Sequence, residues 1–273
     1  MNKALFKGVF VAATIFACAP AQAADLPVYK AAPLAPEIMS WTGGYVGLAL
    51  GYKQQNTDWT TTCLGLNGFF CNPNPTAINP FFVDTSSPRR FEEGSFRVGG
   101  YVGYNWQVLP QWVIGVEADL AWADGKATST GIVGCTVFCG FLPLSSAGDS
   151  SSIRTTWDAS VRGRLGFLVQ SNWLIYATGG PAIQQVEANV TCTGVAVWCV
   201  ANRSQTIGST LGGYTVGGGV EWMIAPHWLL RGEYRFSEFR KFGPTFFINT
   251  GDDVFTSMKL QTHIATGGIA YKF

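Results

Sequence analysis

Hydrophobic and polar residues alternate with period two along most of the chain. The alternation falls into eight stretches, roughly 44–54, 94–107, 112–124, 154–169, 173–187, 209–223, 228–239 and 258–273. Alternation of this kind predicts β-strands, and helical periodicity is almost absent. The connections alternate too. Three are tight, around Pro110-Gln111, Ser171-Asn172 and Pro226-His227, and four are long, at about 55–93, 125–153, 188–208 and 240–257. Short turns at one end and long loops at the other predict an all-β chain: an eight-stranded antiparallel up-and-down barrel with four long extracellular loops.

The two faces differ in chemistry. Phe96, Val98, Gly100, Val102, Tyr104 and Trp106 lie on one face of the second stretch, and Arg97, Gly99, Tyr101, Gly103 and Asn105 on the other. The third stretch sets Trp112, Ile114, Val116, Ala118, Leu120 and Trp122 against Val113, Gly115, Glu117, Asp119 and Ala121. The fourth sets Trp157, Val161, Leu165 and Phe167 against Asp158, Ser160, Arg162 and Arg164. The seventh sets Trp228, Leu230, Tyr234 and Phe236 against Arg231, Glu233 and Arg235. A soluble barrel would bury the apolar face and wet the charged one. Aromatic placement opposes that reading. Trp112, Trp173 and Trp228 open strands after tight turns, Trp106, Trp222 and Phe273 close strands on the same side, and Trp122 and Trp157 lie toward the far end. Ten residues at ~3.3 Å each, tilted by about 40°, climb roughly 25 Å, the height of an outer-membrane apolar band. The apolar face is therefore assigned to lipid, and the barrel is read as transmembrane.

Two stretches fit this phase poorly. Trp41 does not share the parity of Val46, Leu48, Leu50 and Tyr52, which predicts a register break at Gly43-Gly44. The stretch from Trp173 to Gly180 is apolar on both faces; the phase chosen puts Trp173 and Ile175 outward. Pro181 has no N–H for a ladder, so a bulge or strand end is expected there.

Composition changes the picture in one respect. Of 273 residues, 47% are hydrophobic, 14% aromatic and 13% charged; average chains carry about 25% charged residues. The scarce charges concentrate inward. Arg97, Arg162, Arg164, Arg231 and Arg235 oppose Glu117, Asp119, Asp158, Glu221 and Glu233, five against five. The lumen of an eight-stranded barrel is narrow enough for side chains to fill. Paired charges are tolerable there and lone ones are costly. The set reads either as a structural plug or as a salt-bridge gate over a narrow path. The inward glycines Gly47, Gly99, Gly103, Gly115, Gly166 and Gly217 are expected to make room for these long charged chains.

The N-terminus has its own signature. Lys3 and Lys7 precede an apolar run from Val9 to Ala19, and Ala21-Gln22-Ala23 resembles a cleavage site. This predicts a signal peptide over 1–23, followed by a Pro-rich periplasmic leader over 24–40 and the barrel domain over 41–273. Export permits disulfides. Six cysteines remain after the signal, and locality favours Cys63-Cys71, Cys135-Cys139 and Cys192-Cys199, with cross-loop pairing as the alternative. Neither His lies near the cysteines in sequence, so no metal or cofactor is expected. Net charge is +1 and no basic run exceeds Arg89-Arg90, which leaves nucleic acid without an electrostatic footprint. Gly217-Gly218-Gly219 lies inside a strand pattern without a following helix, so it is no phosphate loop.

Trp41-Thr-Gly-Gly-Tyr-Val-Gly-Leu-Ala-Leu-Gly-Tyr52, Gly100-Tyr-Val-Gly-Tyr-Asn-Trp106, Val113-Ile-Gly-Val-Glu-Ala-Asp119, Val161-Arg-Gly-Arg-Leu-Gly166 and Tyr214-Thr-Val-Gly-Gly-Gly-Val-Glu221 resemble the strand motifs of the alphaproteobacterial outer-membrane immunogenic proteins. These are porin-family relatives of RopB with an OmpA-like barrel. The end, with Thr266, Gly268, Tyr271 and terminal Phe273, is similar to the signal read by the barrel-assembly machinery. The resemblance implies a Gram-negative outer-membrane location and a non-enzymatic structural, envelope-integrity and surface-exposed role. A narrow diffusion pore is the alternative, and haemin or host-ligand binding through the loops a further one. Implied partners are outer-membrane lipid and lipopolysaccharide, the assembly machinery, and peptidoglycan through Ala24. Membrane lipid A deacylases carry a His-x-Ser pair near the outer rim. Here His263-Ile264-Ala265 lacks the serine, so no catalytic residue is assigned and His263 is read as a rim contact to lipopolysaccharide.

Overall fold

The computed structural model describes residues 40–64, 70–71, 83, 86–135, 148–194, 201–250 and 253–273. The signal peptide, Ala24 and nearly all of the leader lie outside them, as do Cys139 and Cys199. The strands are β1 (Gly43–Leu64), β2 (Phe70–Cys71), β3 (Arg89–Leu109), β4 (Trp112–Thr130), β5 (Ser150–Gln170), β6 (Trp173–Thr193), β7 (Asn202–Ala225), β8 (Trp228–Phe239), β9 (Thr245–Phe246) and β10 (Val254–Lys272). The eight long strands pair antiparallel in chain order, and β1 closes the ring by pairing with both β3 and β10. Val46 thus faces Val102 on one side and Tyr271 on the other. All three tight turns lie at one end, where β3–β4, β5–β6 and β7–β8 are each joined by two residues.

The strands are longer than the alternation alone predicts, and much of the expected loop sequence is strand. β6 continues to Thr193 and β7 begins at Asn202, so the expected 188–208 connection shrinks to 194–201. The cause is a change of outward chemistry. Beyond the apolar band the outward positions turn polar, as at Ser204, Thr206 and Thr210, while inward Val186, Ala188 and Val190 are buried. Alternation persists there with its polar face turned to water. Small β2 and β9 strands lie inside two of the remaining connections.

No register break occurs at Gly43-Gly44. The ladder with β3 runs unbroken through Gly43, Gly44 and Tyr45. Trp41 is instead on the inward phase, buried at the turn end of the lumen, where its indole N–H donates to the Ser171 carbonyl at 2.9 Å. Pro181 also departs from expectation, since it sits neither at a bulge nor at a strand end. It pairs with Tyr214 on β7, and the β5–β6 ladder lapses between Ser160↔Ala182 and Gly163↔Gly179 with equal residue counts on both sides. The missing N–H falls in that gap. Trp173 and Ile175 face outward, and Leu174 and Tyr176 inward.

The lumen is filled in three storeys. At the turn end Trp41, Tyr45, Ala49, Tyr101, Val113, Leu168, Leu174, Met223, Leu229 and Ala270 form an apolar floor. At the loop end Trp59, Phe91, Ile132, Val186, Phe239, Phe246, Met258 and Leu260 belong to a larger apolar cluster, in which Trp59 stacks on Phe246 at 6.1 Å between centroids. The charged residues lie between.

Candidate functional site: a charged belt across the lumen

The belt is built from inward positions of six of the eight ring strands, all but β6 and β10. Lys53 and Arg97 come from β1 and β3, Glu117 and Asp119 from β4, and Asp158, Arg162 and Arg164 from β5. Glu221 comes from β7, and Arg231, Glu233 and Arg235 from β8. Period two brings each strand's charges to one side, and the register then pairs them. Glu117 sits directly opposite Arg162, and Glu221 opposite Arg231.

Glu117 is the hub of the belt. Its carboxylate meets the Arg162 guanidinium, Arg231 at 2.6 Å and Arg164 at 3.6 Å, and accepts from the Tyr45 hydroxyl at 2.8 Å. Arg231 and Arg164 both reach Glu221, at 2.6 and 2.8 Å. Arg162 crosses the lumen to Glu233 at 2.9 Å and lies 3.4 Å from Asp119. Asp119 also takes Arg97 at 2.7 Å and Arg235 at 2.9 Å, and it accepts from the Ser160 hydroxyl. Arg97 further meets Asp158 at 2.6 Å. Aromatic rings complete the packing. The Arg164 guanidinium lies 4.0 Å from the centre of the Tyr176 ring and that of Arg231 4.0 Å from the centre of Tyr101, while the Tyr176 hydroxyl donates to Glu233 at 2.7 Å. Charge-assisted bonds of this density offset the desolvation that a buried ion otherwise suffers.

The structure brings together all ten charges read from the sequence and adds two. Lys53 is buried 3.6 Å from Asp158, and Glu93 is buried toward the loop end, so the balance becomes six against six. Both lie on the inward phase of their strands, which is the signal that identifies them. The glycines require a correction. A Cβ at Gly47 would overlap the Tyr101 ring, at Gly103 the Tyr45 ring, at Gly219 the Tyr176 ring, at Gly115 the Asn105 side chain and at Gly166 Leu174. At Gly99 it would overlap Ala121, at Gly217 it meets the charged Arg235 beside β8 backbone, and at Gly125 it would overlap Glu93. Three of these glycines, Gly47, Gly103 and Gly219, make room for tyrosines, because a flat ring lying across a narrow lumen needs the backbone opposite it bare, and the rest make room for a mix of polar, apolar and charged chains.

On the outside, Trp106, Trp112, Trp122, Trp173, Trp222, Trp228 and Phe273 are exposed, and Trp157 is half-buried beside a β5 irregularity. Trp173 stacks on Trp222 at 5.5 Å, and Trp228 meets Tyr271 edge-on at 5.4 Å. Tyr271 and Phe273 face outward at the turn end, while Thr266 and Gly268 lie on the opposite phase of β10. His263 also faces outward, its Nδ1 2.7 Å from the Tyr234 hydroxyl. Cys63 and Cys71 are backbone partners in the β1–β2 ladder, and Cys135 and Cys192 are buried.

A closed antiparallel ring with an apolar exterior, aromatic rims and a charged interior defines an integral outer-membrane β-barrel. The chain belongs to the outer membrane protein beta-barrel domain family, which matches residues 9–273. Its relatives include the 31 kDa outer-membrane immunogenic protein of Brucella melitensis, 28% identical over 263 residues and 93% of each chain. The 22 kDa outer membrane protein of Rhizobium leguminosarum bv. viciae is 30% identical over 148 residues, 54% of each chain. Among solved structures, OprG of Pseudomonas aeruginosa aligns over 87% of this chain and 99% of its own, with a TM-score of 0.52 and 11% identity, a likeness of fold. The protein resides in the outer membrane of a Gram-negative bacterium.

Proposed function

We propose that the protein is a non-enzymatic structural barrel of the outer membrane, closed to solute and exposed at the cell surface. The observation that carries this reading is the belt itself. Its charges are matched across the lumen, and two cavities beside it, among the described residues, measure only about 10 Å³ each, roughly the space of one water. Apolar clusters above and below the belt support the same reading. The relatives named as immunogenic proteins support surface exposure. The test is conductance in planar bilayers. The wild-type protein is expected to show no steady unitary step, and the Glu117→Ala/Arg162→Ala double variant to flicker open. A steady wild-type step would return the narrow diffusion pore.

The proposal extends to the regions that frame the barrel. Residues 1–23 serve as the export signal, the closing strand ending in Phe273 as the assembly signal, and lipopolysaccharide surrounds the outer rim at His263. Ala24 is the proposed peptidoglycan attachment point. Cys63-Cys71, Cys135-Cys139 and Cys192-Cys199 form local disulfides, a scheme supported by the facing positions of Cys63 and Cys71. A non-reducing peptide map is expected to return these three links; a fragment joining Cys63 to Cys135 or Cys192 would overturn the scheme.

A further inference from the structure

β7 and β8 differ in length by half. β7 has 24 residues and β8 has 12, and their ladder begins only at Gly213↔Phe239. Past Phe239 the chain parts from β7 but stays along β10, where Phe242 pairs with Met258. Phe242, Phe246 and Phe247 are buried in the apolar cluster at the mouth, and β9 pairs with β10. The outer half of β7 therefore has β6 on one side and no strand on the other among the described residues.

The direction of the exposed backbone follows from one bond. The Gly212 carbonyl accepts the Arg240 N–H at 2.9 Å, so even-numbered residues point main-chain groups toward the β8 side. Ser204, Thr206, Gly208 and Thr210 continue this series, and all four are exposed. Their side chains turn the other way: Ser204 bonds Thr191 at 2.8 Å, Thr206 takes the Asn189 amide at 2.9 Å, and Thr210 donates to Gln185 at 2.7 Å. With the hydroxyls engaged by β6, no backbone group takes this row of N–H and C=O groups among the described residues; the nearby Phe247 N–H donates instead to the side chain of Gln205, on the other phase of β7. The edge carries neither the Pro nor the Lys that normally blunts one.

At the lower end of this edge the wall opens into a cleft of 620 Å³ lined by Pro181, Ile183, Gly212, Tyr214 and Phe239, with Arg240 on its rim. Exposed Lys241 follows. Glu238, also on the rim, is held by Lys259 at 3.3 Å and Gln261 at 2.8 Å.

We propose that the Ser204–Thr210 edge is a strand-addition site for an extended segment of an extracellular partner polypeptide. The segment lies antiparallel to β7, takes up the β7 side of the ladder beyond Gly213, and seats an apolar side chain in the cleft with an acidic residue against Arg240 and Lys241. Alternating main-chain donors and acceptors are complementary to another extended backbone, and a pocket at one end supplies selectivity, the usual division of labour in strand addition. Seven residues span about 23 Å. The outward side chains of this edge are polar, which places it in the aqueous layer above the apolar band. A second copy in the same membrane does not fit: copies there share one orientation, so an axis along the membrane normal would bring the two β7 strands together parallel.

The test uses the full chain in nanodiscs containing lipopolysaccharide. The probe is an acetylated peptide of seven alternating Thr and Val residues, extended by Phe-Glu at the end that meets the cleft. Residue-resolved amide exchange is the readout. In the free protein, Ser204, Thr206, Gly208 and Thr210 are expected to exchange faster than Gln205, Ile207 and Ser209, whose main-chain groups face β6. Saturating peptide is expected to slow the four by about tenfold or more. A peptide N-methylated at its edge-facing amides should give no slowing. Gly208→Pro removes one edge donor while sparing the β6 ladder, and an added Cβ there meets only ordinary contacts, the nearest at 3.5 Å. That variant should keep heat-modifiable migration and lose the peptide effect. Arg240→Glu/Lys241→Glu should weaken it. Slow exchange of the four amides in the free protein, no slowing by saturating peptide, or slowing that survives N-methylation or Gly208→Pro would overturn the proposal. So would concentration-dependent disulfides between Thr206→Cys copies, which would make a second copy the occupant.

Discussion

Glu117→Ala is expected to destabilise the barrel by about 3–5 kcal/mol, the range for removing one partner from a buried ion pair. The side chain is 0% exposed and is shared by Arg162, Arg164 and Arg231. Its loss leaves the three guanidiniums close together with one carboxylate fewer and no bulk water to screen them. The Tyr45 hydroxyl, which donates to Glu117, loses its acceptor as well. Glu117→Gln keeps the shape and one acceptor oxygen, so its cost should be smaller. Arg162→Ala alone should also cost stability, and the Glu117→Ala/Arg162→Ala double variant should cost less than the sum of the two, because each single change already removes the shared contact. Urea titration in lipid vesicles, followed by the gel shift of folded barrel, measures all four variants. A loss below about 1 kcal/mol for Glu117→Ala, the value typical of an exposed pair, would mean that water reaches the belt and that the lumen is not closed.

The lipid-facing half of the molecule was legible in the alternation, because one chemical rule holds along every outward row: apolar residues in the middle and aromatic rings at the ends. Val98, Val102, Val116 and Leu120 are exposed on the outer wall for that reason. The five-against-five charge set was legible from the opposite phase. Three features were not. Strand ends beyond the band escaped because the outward row becomes Ser, Thr and Gly there, and Lys53 and Glu93, near the ends of the recognised stretches, escaped their roles with them. Trp41 escaped because a tryptophan at a strand end reads as lipid-facing by composition, and the phase that turned Tyr45 and Tyr176 inward did not name their partners, whereas a phenol or indole can fill a lumen if its polar atom finds one. Tyr45 finds Glu117, Tyr176 finds Glu233, and Trp41 finds the Ser171 carbonyl. Pro181 misled for a related reason. A missing N–H is tolerable wherever the ladder already lapses, and only the three-dimensional pairing shows that it does so between β5 and β6.

Val102→Arg should cost about 2–4 kcal/mol, the penalty for a cation at the midplane on the lipid face of a barrel. Val102 is 56% exposed, stands midway along the outward row from Phe96 to Trp106, and lies between Val46 and Ala118 on the neighbouring strands. A guanidinium there is more than a side chain's length from either rim, so it must thin the bilayer or draw water inward to remain solvated. Glu92→Arg tests the same chemistry on the same strand and the same outward phase, but at an exposed position above Phe96. Its cost should fall near 0–1 kcal/mol, as at an interface. The difference between the two variants separates depth from side-chain identity, and it does not depend on the lumen, which neither residue faces. The same pair measured in detergent micelles should show a smaller gap, since a micelle deforms around a charge more easily than a bilayer. Equal costs for Val102→Arg and Glu92→Arg in vesicles would contradict the assignment of the Phe96–Trp106 row to the hydrocarbon layer.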